Sequence, residues 1–214
     1  IIFLGISLSV ISLCAIVFQT LDAVKTHETR MSFSYQQIEL SEEMLINGQN
    51  LIREFGDVFA GGAGEVEGPS DKQELIETHN EVIKLVERYR SVISSEEEFL
   101  KAEGSEEEEE EEEEKNQIEN LLTTYMGHYT KLDAILSSSI LLSEKNKKFR
   151  AYKESSFEDS WPELIQGLID DELKEIRSVD NKIKAKFAFI ELIAWIAIAA
   201  TFLIFLFAYF WVLK

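Results

Sequence analysis

Two apolar runs bracket this chain and limit what it can fold into. Residues 1–19, IIFLGISLSVISLCAIVFQ, carry no charge, and residues 187–213, FAFIELIAWIAIAATFLIFLFAYFWVL, carry only Glu191. A hydrocarbon core of ~30 Å needs about 20 apolar helical residues to cross it. The runs therefore read as transmembrane helices over residues 1–20 and 187–213, with the lipid bilayer as a partner. The first run has neither the basic start nor the small-x-small cleavage site of a signal peptide, so it reads as a span. Tyr209 and Trp211 suit a headgroup belt at the end of the second. Glu191 is about one turn inside that run, close to Lys182, Lys184 and Lys186, and reads as an interface-reaching acid rather than an intramembrane relay. Cys14, the single cysteine, reads as a small packing residue.

The region between them, residues 21–186, reads as all helix. The whole chain holds only 2 prolines, and breaks in the pattern are few. The expected helices cover about 21–59, 71–103, 106–150 and 161–186. In the first, Val24, Met31, Ile38, Leu45 and Ile52 recur every seven residues, with Tyr35 at the complementary position. GGAGEVEGPS, residues 61–70, makes a turn, and Ser70 to Gln73 forms a capping box for the second helix. Its seam is Leu75, His79, Val82, Val86, Tyr89 and Ile93. The third seam is Ile118, Leu122, Tyr125, Tyr129, Leu132 and Leu136. Ser160 to Glu163, with Pro162 in the first turn, forms a second capping box ahead of Ile165, Ile169, Ile176, Val179 and Ile183. Four apolar stripes leave and return to one membrane face. An antiparallel four-helix bundle buries all four; a long helical hairpin coiled coil is the alternative.

Charge narrows the partners. The formal net charge is −19, which excludes nucleic acid, because phosphate contacts need a basic footprint. Nine consecutive glutamates, Glu106–Glu114, fall between the second and third seams. Ser105 can cap the helix they open, and early acids favour its positive dipole end, but nine like charges repel. The run reads as a solvated loop and frayed helix start. The alternative reading is a weak collector of divalent cations, against which the run lacks the Asp/Asn/Gly turn of a defined site. KNKKFRAYK, residues 145–153, offers a counter-charge.

Nothing in the chain points to catalysis. There is no nucleophile–base pair, metal-ligand spacing or phosphate loop, so the chain reads as a non-enzyme with no catalytic, cofactor-binding or metal residues and no cofactor. His79 is the polar member of the second seam and reads as a hydrogen-bonded bundle histidine; His27 and His128 lie on other helices.

The order of span, four helices and span resembles the ligand-sensing input region of bacterial chemoreceptors and sensor histidine kinases. The likeness is one of architecture and rests on no motif. It implies a sensory or signal-relay membrane protein, with a membrane-anchored coiled-coil scaffold or accessory subunit as the alternative. A homo-oligomer or a membrane protein partner, held through helix packing, is expected in either case. Bases near the spans, Lys25, Arg30, Arg177, Lys182, Lys184 and Lys186, lie on the loop side and lean the helical region to the cytoplasm if the chain is complete. A sensor input region normally lies outside, so sidedness stays open.

Overall fold

A computed structural model describes the backbone at residues 2–61, 69–104 and 108–212, and side chains at 11–12, 14–60, 72–104 and 112–211. The 62–68 part of the glycine-rich turn, the side chain of Ser70, Ser105, the side chains of residues 1–10 and those of Glu106–Glu111 lie outside the described residues. The described elements are helical: α1 (Ile2–Gly61), α2 (Pro69–Glu103), α3 (Glu108–Ser137), α4 (Leu142–Tyr152), a π-helical turn (Lys153–Phe157) and α5 (Glu158–Val212). They divide into two compact units, Phe33–Leu173 and Ile1–Ser32 with Lys174–Lys214.

In the larger unit four helices, α1, α2, α3 and α5, pack together. Contacts fix their directions. Phe33 meets Phe99, Gln37 bonds Glu96, and Glu43 pairs with Arg88, so α1 and α2 run opposite ways. Arg90 to Glu119 and Lys115 to Glu97 do the same for α2 and α3. Gln117 to Asp171 and His128 to Ser160 reverse α5 against α3. The core is a heptad pattern on each helix. On α2, Leu75, Val82, Val86, Tyr89 and Ile93 are buried and His79 is half-buried, and the seam continues to Glu96 and Leu100. On α3 the buried positions are Ile118, Leu121, Tyr125, His128 and Leu132, while Leu122, Tyr129 and Leu136 pack at its flank.

α1 departs from the expected seam. Its buried residues within this unit include Ser34, Gln37, Ser41, Met44, Gly48, Leu51, Phe55 and Val58, spaced alternately by three and four, with Leu40, Phe59 and, from the expected seam, Ile52 buried beside them. Ile38 and Leu45 are only half-buried, and Tyr35 is 57% exposed. A search for apolar residues misses this register, because half of its positions are polar or glycine. Gly48 is a steric requirement. A Cβ there would lie 2.1 Å from Trp161 Nε1, inside the ring of a fully buried tryptophan. Trp161 thus packs directly on the α1 backbone.

The expected third helix, 106–150, is two helices. Ser137, Ser138 and Ser139 interrupt it, because serine hydroxyls compete for backbone groups. Ser138 Oγ donates to Ile135 O at 2.6 Å, and Lys145 Nζ donates to Leu136 O at 2.6 Å, satisfying the last carbonyls of α3. Leu141 is extended, with φ −58° and ψ 144°, and its carbonyl accepts from Glu144 and Lys145 to start α4. The expected fourth-helix cap is also absent. Ser160 and Pro162 lie inside α5, which the π-turn joins to α4 without a loop. Ser160 Oγ instead back-bonds to Ser156 O. Pro162 costs little there, four residues into α5 and just after a turn whose bonding pattern is already irregular. α2 starts at Pro69, where the missing proline N–H is harmless, so Ser70, expected at the N-cap, lies inside the helix, and Gln73 Nε2 donates to Glu77 Oε1 at 2.9 Å rather than closing a capping box. It ends at Gly104, whose φ of +74° is the left-handed conformation that closes a helix.

The smaller unit pairs the N-terminal part of α1 with the C-terminal part of α5. Arg30 Nη2 donates to Glu175 Oε1 at 2.8 Å, both largely buried, and Ala23, Val179 and Ile183 are buried. Beyond Lys186, α5 is almost wholly apolar, and Phe189, Trp195, Phe202, Phe207 and Trp211 are each at least 62% exposed. Among the described residues, the helical stretch Leu142–Trp211 alone contains a window long and apolar enough to cross a membrane, and none of that window is buried. Its less exposed positions, Ile190, Ala194, Ala197 and Thr201, follow a spacing of three and four.

Candidate functional site

Polar clusters interrupt the apolar core of the bundle. The first is a carboxylate layer. Heptad spacing puts Gln37 and Ser41 on α1, Tyr89 and Glu96 on α2, and Glu172 on α5 at core positions, and all five are buried. Gln37 Nε2 donates to Glu96 Oε2 at 2.7 Å, and the Tyr89 hydroxyl donates to Glu172 Oε1 at 3.3 Å. The Gln37 carbonyl oxygen is buried with no hydrogen-bond partner. Burial holds the Tyr89 phenol far above its usual range, and the Glu172 charge adds to this by opposing a second negative charge. Tyr89 therefore acts as a permanent donor. Buried carboxylates cost stability unless bonded, and such layers fix register at that expense.

The second cluster is histidine-centred and joins α3, α4 and α5. His128, 7% exposed, places Nδ1 at 2.6 Å from the Tyr152 hydroxyl and Nε2 at 2.9 Å from Ser160 Oγ. Its ring meets Phe157 edge-on at 5.1 Å, and Phe157 stacks on Trp161. Desolvation, then the positive charge of Lys131, holds its pKa below the ordinary histidine value. His79 is placed differently. Its Nδ1 lies 2.9 Å from the Tyr125 hydroxyl and its ring stacks on Tyr129 at 3.7 Å, with burial alone lowering its pKa.

A groove of about 500 Å³ runs between α3 and α5, lined by Asn120, Thr124, Glu163 and Asp171 over Leu121 and Leu164. Ser160 lines it too, so the histidine cluster has a path to solvent.

The three histidines do not converge. His79 and His128 belong to separate clusters, and His27 is on the α1 segment of the smaller unit. Among the described residues no three His, Cys, Asp or Glu side chains gather as a metal site. The described end of the glutamate run, from Glu108, forms the first turns of α3. Lys145 and Lys153 of the basic stretch are engaged by Leu136 O and Glu158. Glu191 Oε1 accepts from Trp195 Nε1 at 3.4 Å on the apolar part of α5.

Sequence reasoning missed Glu96, Glu172 and Trp161. A strict heptad count from Ile93 and Ile165 reaches Glu96 and Glu172, but a search for apolar residues passes over them. The chain matches no protein-family model, no curated protein and no solved structure.

Proposed function

We propose that the chain is a two-pass integral membrane protein whose helical bundle is a sensory or signal-relay domain. The observation that carries this reading is the composition of α1 and α5. Each is one unbroken helix that holds both an end run of membrane-spanning composition and buried polar residues of the carboxylate layer. A helix is stiff along its length, so a change in hydrogen bonding at Gln37 or Glu172 is delivered to the apolar ends. Helix shifts of about 1–2 Å at interfaces are the usual scale of such signals. The exposed apolar surface of α5 beyond Lys186 supports a lipid or helix partner, and the uncharged first run supports a second span.

Two measurements test this. Carbonate washing of membranes should leave the protein in the pellet; appearance in the supernatant removes both spans. Spin labels at the exposed positions Val17 and Phe202, with the chain in nanodiscs, should then report a changed distance distribution in Glu172→Gln. An unchanged distribution discards the relay and leaves the second reading, a membrane-anchored scaffold or accessory subunit.

A further inference from the structure

His128 stands across an irregularity in the helical chain. Its two ring nitrogens hold residues on either side of the π-turn Lys153–Phe157: Tyr152 just before it at 2.6 Å, and Ser160 just after it at 2.9 Å. The proton positions follow from the bonds. Ser160 Oγ donates its one proton to Ser156 O, so it accepts from His128 Nε2–H. Nδ1 then carries no proton, and the Tyr152 hydroxyl donates to it. In this neutral form every donor in the chain of bonds has an acceptor.

We propose that this arrangement is a pH-operated latch: the neutral His128 imidazole staples the π-turn, and protonation at Nδ1 reverses the bond to Tyr152, places a charge in the buried site and loosens the turn. The new N–H faces the Tyr152 hydroxyl, which must rotate to accept and so loses the acceptor of its own proton. The imidazolium also gains a charge in a buried site. Of the charged groups on the elements packed around it, Lys131 on α3 opposes that charge and lies over the Tyr152 ring at 5.6 Å. Lys153 on the turn is paired with Glu158 on α5 at 3.3 Å, and Tyr152 on α4 is the titratable hydroxyl, raised by burial. Among the described residues no carboxylate is bonded to the ring to offset the charge. The groove at Ser160 gives protons a route in. A histidine held below its unfolded pKa by the fold contributes stability above about pH 6.5, and loses it as pH falls through the lower folded value. The latch therefore closes at neutral pH and opens on acidification. This holds whether or not the bundle relays a signal.

The test uses the full chain in nanodiscs. Nitrogen-15 histidine spectra should show His128 as the neutral Nε2–H tautomer at pH 7.5. Between pH 7.5 and 5.5, amide exchange over residues 153–160, normalised to an unstructured reference, should rise severalfold. His128→Gln should abolish that pH response, and His79→Gln should keep it. Tyr152→Phe, which removes one side of the staple, should exchange quickly at both pH values and covers the case in which His128→Gln does not fold. An Nδ1–H tautomer at pH 7.5, an unchanged response in His128→Gln, a response lost in His79→Gln, or no response in the wild type would each overturn the latch.

Discussion

The two halves of the α1 core face use one register for opposite purposes. Around Ser34, Gln37 and Ser41 the seam is polar, and Gln37 bonds Glu96. Around Gly48, Leu51, Phe55 and Phe59 it is apolar and meets Trp161, Tyr129 and Phe149, with Phe59 and Phe149 ring centroids 4.8 Å apart. Each buried aromatic removes roughly 150–250 Å² from water, worth several kcal/mol at ~25 cal/mol/Å². The carboxylate layer returns little of that, because its hydrogen bonds mostly offset desolvation. The aromatic half is thus where the bundle gains its stability.

Four substitutions can break or sharpen this contrast, each read by helical circular dichroism during thermal melting of the full chain in detergent. The largest effect belongs to Trp161→Ala, which empties the aromatic centre. Phe/Trp truncations cost about 3–5 kcal/mol, a large part of the ~5–15 kcal/mol of a domain. If it melts like the wild type, the aromatic half is not the anchor. Gly48→Ala comes next. It adds a methyl where the Trp161 ring already lies, and overpacking costs about 1–3 kcal/mol. A neutral result would mean that the indole can move aside and that α1 and α5 are not locked there.

Smaller again is Tyr89→Phe, which removes the donor to Glu172. A loss of about 1 kcal/mol is expected for one hydrogen bond at 3.3 Å. A loss as large as that of Trp161→Ala would erase the distinction between the two halves. Arg88→Ala should do least. Its pair with Glu43, at 3.3 Å, is exposed on both sides, and such pairs contribute under about 1 kcal/mol. A drop beyond that range would show that the outer ion pairs, rather than the core layers, set the register of α1 on α2.

Much of the architecture is legible in the residues. Apolar spacing on α2 places Leu75, Val82, Val86, Tyr89 and Ile93 in the core, because that helix packs its most hydrophobic stripe. On α3, Tyr125 and Leu132 are found the same way, while His128 is not, since a histidine carries no periodic apolar signal. On α1 the stripe of Ile38 and Leu45 misleads. The four-helix packing buries Ser34, Gln37 and Ser41 instead, and Glu96, which Gln37 bonds, lies 59 residues away. The serine run at 137–139 is visible in sequence, but whether it ends a helix depends on Lys145 reaching back to Leu136 O.

Local chemistry therefore determined by itself that this chain is helical, where its apolar runs fall, and which turns carry glycine. Periodicity and propensity act over a few residues, and the sequence states them directly. Only the tertiary structure decided which face of α1 is buried, that Gly48 makes room for Trp161, and that His128 meets Tyr152 and Ser160 across a π-turn. Those outcomes depend on close packing and on hydrogen-bond partners brought together from different helices. Such contacts form only when all four helices bury their faces at once, and no single segment encodes them.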